Sequence, residues 1–264
     1  MDTLINHNRI KIFPSADDLF ADAAADFVRR ARHAVTATGQ FTVVLSGGNT
    51  VKSFFDALTA IESSQQTIPW QQIKFFFGDE RYVAADDAAS NYHTAQTYLF
   101  SKVPVSAENI YRIPTELGDP TLTANSYEVS LRKAFNLQPD EFPKFDLVYL
   151  GLGEDAHTAS LMPFSAVVKT YSGQLDPDKN LSLVTSIWVE QLKMYRITLT
   201  PPAINHSDAI CFLVTGANKA SAVRQTLQGS FEPEKYPAQL IECADKGKII
   251  WWLDEAAAGE LEIA

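Results

Sequence analysis

Apolar residues along this chain follow two alternating patterns. Between positions 16 and 38, Phe20, Ala23, Ala24, Phe27, Ala31, Ala34 and Val35 recur at helical spacing, while Asp22, Asp26, Arg29, Arg30 and Arg32 fill the other face. That periodicity predicts an amphipathic helix over 16–38, with Ser15 as N-cap and Gly39 just past its end. Residues 41–45 then form an unbroken apolar run, which reads as a strand buried on both faces. After Ser46-Gly47-Gly48-Asn49-Thr50 the helical spacing returns in Val51, Phe54, Phe55 and Leu58. Further strands are predicted at 73–77, 145–150, 196–200, 209–215 and 249–253, with a helix over 219–227.

Strands that are apolar on both faces and alternate with helices imply an α/β protein. Its sheet is expected to be mainly parallel, with helices on both faces. No internal repeat, low-complexity stretch or composition break marks a linker, so residues 1–264 read as a single domain. Residues 114–120 and 171–180 read as surface loops. In open α/β sheets, ligands bind beyond the carboxyl ends of the strands. The polar, glycine-rich clusters after Leu45, Phe77, Leu150 and Thr215 all fall at such ends. Four loops are therefore expected to converge on one edge.

Charge narrows the range of ligands. The chain carries 22 Lys+Arg against 32 Asp+Glu, a formal net charge of -10. Such a surface repels nucleic acid and anionic lipid, so a bound phosphate must meet a local cationic pocket. Cys211 and Cys243 form no CxxC pair, which argues against a disulfide scaffold or a thiolate metal cage, and both read as core residues. His7, His33, His93 and His206 are scattered without metal-ligand spacing, so no metal site is expected. The first residues show no signal-peptide pattern, and no run of about 18 apolar residues offers a membrane span. The expectation is a soluble cytoplasmic protein, a monomer or small homo-oligomer, without nucleic-acid or membrane partners.

Each strand-end cluster has a chemical reading and a plainer one. In Ser46-Gly47-Gly48-Asn49-Thr50, two glycines let backbone N–H groups face an anion at a helix start. The plainer reading is a tight turn capped by Asn49 or Thr50. Gly78-Asp79-Glu80-Arg81 sets carboxylates beside a guanidinium that can clamp a phosphate, or makes a salt-bridged surface turn. Ser90 and Asn91, ten residues on, are placed to support that loop through hydrogen bonds. Residues 151–156 formally match the dinucleotide fingerprint, yet they lie in mid-chain and Pro163 interrupts the helix that the fingerprint requires. The cluster instead delivers Asp155 and His157 to a strand end. There His157 is either a general base or a histidine that caps a turn. Arg196 and Lys219 add cations at two more junctions.

In this order the clusters resemble the 6-phosphogluconolactonases of the glucosamine-6-phosphate isomerase/6-phosphogluconolactonase superfamily. The resemblance spans about 13–253 and rests on LSGGNT (45–50), FFGDERYV (76–83) with SNY (90–92), and LGLGEDAHTASLMP (150–163). RITLTPPAIN (196–205), VTGANKA (214–220) and WWLD (251–254) follow. It implies a Rossmann-like sheet and hydrolysis of 6-phosphoglucono-δ-lactone in the oxidative pentose phosphate pathway, with no cofactor or metal. It also implies that His157 activates water, and that the Ser46–Thr50 loop, Arg81 and Lys219 hold the phosphate. Asp155 or Asp79 is expected to orient the imidazole, and backbone N–H groups near Gly153 to receive the oxyanion.

Two departures from the family pattern stand out. Ala156 occupies a usual glycine position, so a positive φ there would cost about 1–2 kcal/mol. Val51 replaces a usual proline at a helix start, a milder change. Two alternatives remain in view. Glucosamine-6-phosphate deaminase needs a glutamate five residues after the motif histidine, where this chain has Met162, and a tyrosine where it has Arg81. A sugar-phosphate-binding regulator without catalysis is the other.

Overall fold

Ser15 and Gly39 bound the first helix by their own chemistry. The Ser15 hydroxyl accepts the Asp18 N–H at 3.1 Å, and Gly39 takes φ +82° to close the end, its N–H donating to the Val35 carbonyl. The computed structural model describes residues 2–5, 8–63, 68–174, 182–242 and 248–262. Cys243, His7 and part of the expected 171–180 loop lie outside the described residues.

The elements run β1 (Asp2–Ile5), β2 (Asn8–Phe13), α1 (Ala16–Thr38), β3 (Phe41–Leu45), α2 (Asn49–Ser63), β4 (Ile73–Phe77) and β5 (Asp79–Arg81). Then come α3 (Asn91–Ala95), β6 (Ile110–Tyr111), α4 (Pro120–Phe135), β7 (Leu147–Leu150), α5 (Ala166–Lys169), β8 (Val184–Val189) and β9 (Met194–Leu199). The last are α6 (Pro201–Asn205), β10 (Ile210–Val214), α7 (Ala220–Gln228) and β11 (Ile249–Asp254).

The main sheet has the order β1-β2-β11-β10-β7-β3-β4-β6 and is parallel except for β1. Its central strands β3, β7, β10 and β11 are buried at every position, as their unbroken apolar runs require. Phe75 packs toward Trp70 and Phe100, whereas its neighbour Phe76 meets Tyr111, Phe135 and Phe145, so the period of two sends large rings to opposite faces. Helices α1 and α2 cover the first face, and α4 reaches the second through Phe135. No described helix is long and apolar enough to cross a membrane.

Register then fixes where the loops emerge. Leu45 pairs with Phe77, Val44 with Val148, and Leu150 with Phe212. The strand ends therefore lie along one edge, and the loops after Leu45, Phe77, Leu150 and Thr215 line a common cleft.

Three sequence expectations change. Residues 196–200 do not join the parallel sheet. Residues 196–199 lie within β9 of a separate antiparallel sheet, β5-β9-β8, and Thr200 is the N-cap of α6; Gly78 links this sheet to the main one by accepting the Leu199 N–H and donating to Leu45. Pro120 is not loop but the first residue of α4, with Asp119 as N-cap. Helix α4 has no clean apolar stripe, because Leu122 and Val129 face solvent while Thr123 is buried. Finally, Tyr171 belongs to a wide helical turn over Thr170–Gln174 and not to an extended loop.

Candidate active site

The cleft encloses about 610 Å³ and draws its wall from all four strand-end loops. Loop Ser46–Thr50 contributes the start of α2, with Gly48 at φ +97° turning the backbone into the helix. Gly47 has a second task. A side chain there would overlap the Asn91 amide, so the bare backbone lets Asn91 pack against this loop.

The Asp79–Arg81 segment is organised by a residue whose part local sequence does not reveal. Glu80 is buried and accepts the N–H groups of Arg81, Asn91 and Tyr92 at 2.7, 2.7 and 2.8 Å, and the Ser90 hydroxyl at 3.0 Å. Burial raises its carboxyl pKa above the ordinary value, although these N–H bonds pull the other way. Ser90 and Asn91 support the loop as their spacing suggested, and Asn91 Nδ2 donates to the Asp79 carbonyl and carboxylate at 2.9 and 3.1 Å.

Arg81 and Arg196 are direct cross-strand partners, an arrangement that like charges ordinarily disfavour. Asp79 offsets part of the repulsion, its Oδ2 lying 3.6 Å from Arg196 and accepting the Ser160 hydroxyl at 2.6 Å. Burial lowers the Arg196 pKa, Asp79 opposes the shift, and Arg81 adds to it. Both guanidiniums keep a buried Nε without a hydrogen-bond partner among the described residues. Two crowded, under-satisfied cations in a cleft are what an anionic ligand would relieve.

Lys219 lies across the cleft and makes no ion pair with a described residue. Its loop is held by Asp254, the last residue of β11, whose two carboxylate oxygens both accept the Gly216 N–H at 3.0 Å. A carboxylate ending a buried strand is a readable signal, although the WWLD motif by itself gives Asp254 no part. The motifs likewise leave without a role Ser160 and the pair of Asn218 with Glu154, where the amide donates at 2.7 Å.

Residues 153–157 form a closed turn. The Gly153 N–H donates to the His157 carbonyl at 2.8 Å, and Ala156 N–H to the Gly153 carbonyl at 3.1 Å. The Gly153 N–H is thereby engaged within the turn. His157 Nδ1 lies 2.5 Å from Asp155 Oδ1. Partial burial alone would raise the Asp155 carboxyl, but the hydrogen bond and charge of His157 outweigh it and hold it below its ordinary value. Asp79 is bonded elsewhere and does not meet the imidazole. No helix follows in residues 151–165, as the dinucleotide fingerprint would demand.

Ala156 does adopt the left-handed conformation, φ +61°, with its methyl fully buried. Replacing it with glycine would relieve about 1–2 kcal/mol of backbone strain. The change would also remove a buried methyl worth about 0.8 kcal/mol and add about 0.5–1 kcal/mol of chain entropy to be lost on folding. We expect Ala156→Gly to shift stability by less than about 1 kcal/mol in urea unfolding, because these effects oppose each other. A loss above about 2 kcal/mol would show that packing of the methyl dominates.

Cations and an Asp-paired histidine gathered at the edge of a parallel sheet are the arrangement of an α/β enzyme. The sequence profile of the family described as glucosamine-6-phosphate isomerases/6-phosphogluconolactonase matches residues 14–251. A 6-phosphogluconolactonase from Nostoc sp. is 35% identical over 257 residues, 96% of this chain and 98% of that protein. One from Synechocystis sp. is 37% identical over 232 residues, covering 88% and 89%. A crystal structure of 6-phosphogluconolactonase from Thermotoga maritima superposes with TM-score 0.76 at 26% identity, over 93% of this chain and 98% of that one. The chain belongs to the glucosamine-6-phosphate isomerase/6-phosphogluconolactonase family.

Proposed function

We propose that this chain hydrolyses 6-phospho-D-glucono-1,5-lactone to 6-phosphogluconate, with His157 as general base. His157, in the cleft wall and paired with Asp155, carries this reading. With Nδ1 donating to Asp155, neutral His157 presents an unprotonated Nε2, and no described residue bonds that nitrogen. Nε2 removes a proton from water as the water oxygen attacks C1. The tetrahedral intermediate then breaks its C1–ring oxygen bond, and the imidazolium returns the proton to the departing oxygen, which becomes a hydroxyl. The new carboxylic acid loses its own proton to solvent. Asp155 stabilises the transient imidazolium and holds the tautomer.

Phosphate recognition falls to the start of α2, Arg81, Arg196 and Lys219. The unpartnered Nε atoms of the two arginines support that assignment. The contiguous hydrophobic core supports one α/β domain. Met162, partly buried against that core, cannot supply the proton relay of a deaminase.

A pH-stat assay on the lactone, with spontaneous opening subtracted, tests the function. Turnover above background is expected, with no ammonia release from glucosamine 6-phosphate. No enzymatic rate on the lactone would overturn the reading. Lys219→Ala is expected to raise KM by roughly tenfold while kcat changes little, because phosphate binding is shared by ground and transition states. A matched fall in kcat with unchanged KM would instead place Lys219 at the reacting centre.

A further inference from the structure

Charge on the cleft wall is unevenly compensated. Asp79 faces Arg196, and Asp155 bonds His157. Glu154 lines the same cleft, is exposed, and among the described residues its carboxylate meets only the neutral amide of Asn218 at 2.7 Å. The hydrogen bond from Gly153 N–H to the His157 carbonyl closes the turn that carries both Glu154 and His157, which keeps this uncompensated anion near the base.

Lactone opening changes charge at that end of the substrate. Substrate and product share the same phosphate. At C1, however, a neutral ester becomes a carboxylic acid that releases a proton and leaves one additional negative charge. We propose that Glu154 discriminates against product. It disfavours the carboxylate that ring opening creates, relative to the neutral lactone, and so speeds release without taking part in bond breaking. The proposal rests on the lactonase reading above. Two like charges separated by about one Debye length (about 8 Å at physiological ionic strength), in water, change a binding constant by roughly two- to sixfold.

Glu154→Gln removes the charge and retains a carbonyl that can accept from Asn218. Asn218→Ala removes the hydrogen bond and retains the charge. Calorimetric affinities for two ligands separate the causes: 6-phosphogluconate, and glucitol 6-phosphate, which has the same phosphate but a hydroxymethyl in place of the carboxylate. Glu154→Gln is expected to tighten 6-phosphogluconate by roughly two- to sixfold relative to glucitol 6-phosphate. High salt should erode that difference. Asn218→Ala is expected to leave the ratio of the two affinities unchanged. In turnover, Glu154→Gln should show stronger product inhibition, read as a lower inhibition constant for 6-phosphogluconate against the lactone.

Equal tightening of both ligands, no change in either, or an Asn218→Ala variant that reproduces the shift would each overturn the proposal. If wild-type protein opens the lactone and the affinity ratio still does not move in Glu154→Gln, this inference alone fails. If wild-type protein does not open the lactone, the functional reading fails with it.

Discussion

Replacing His157 with alanine is expected to lower kcat on the lactone by about 10²–10⁴-fold, the usual worth of a general base. The fold should survive, because the side chain is about one-third exposed and its ring bonds only Asp155 among the described residues. Lactone binding should also survive, since the proposed phosphate contacts Arg81, Arg196 and Lys219 are left intact. The expected signature is thus a fall in kcat with KM changed little. Added imidazole should restore part of the rate if a cavity is left where the ring was. Near-normal kcat in the purified variant, after subtraction of spontaneous opening, would remove His157 from the mechanism.

The second large effect comes from a glycine. A Cβ at Gly153 would collide with the His157 ring and with Asp155 Oδ1, the two groups of the proposed catalytic pair. Gly153 has no positive φ, so alanine fits its backbone and the collision itself is the perturbation. The ring and carboxylate must move apart to admit the methyl. Misplacement of a reacting group by about 1 Å can cost about 10²-fold, and we expect Gly153→Ala to lose at least about that in kcat. Circular dichroism and urea unfolding should show a folded protein. Full activity in Gly153→Ala would mean that the Asp155–His157 contact is dispensable.

Much of the main sheet was readable from local pattern. The strands at 41–45 and 73–77 and the helix at 16–38 have the limits that their apolar periods indicate. The four strand-end clusters also meet at one cleft, because parallel strands in register bring their carboxyl ends to one edge. Ala156 shows the same legibility in a single residue, with the positive φ expected from its place in the motif. Helix α4 was missed for a physical reason. Its burial is set by what packs on it from β8 and β4, so its own sequence carries exposed leucine and valine and a buried threonine.

Site chemistry divides along the same line. Residue type and strand-end position bring His157, Asp155, Asp79, Arg81 and Lys219 forward as candidates beside plainer readings, and the order of motifs along the chain, through the family resemblance, gives them roles. Partner choice is not readable in that way. Asp79 and Asp155 are equivalent carboxylates in sequence, and only the fold sends one to Ser160 and Arg196 and the other to His157. Arg196 faces Arg81 because β9 leaves the parallel sheet to pair with β5, an antiparallel register spanning more than a hundred residues. Glu80 gathers N–H donors from eleven and twelve residues downstream, and Asp254 reaches Gly216 from the neighbouring strand. Hydrophobic period is a local property and survives in the sequence. Hydrogen-bond pairing between distant segments has no such period, and it exists only once the strands are laid side by side.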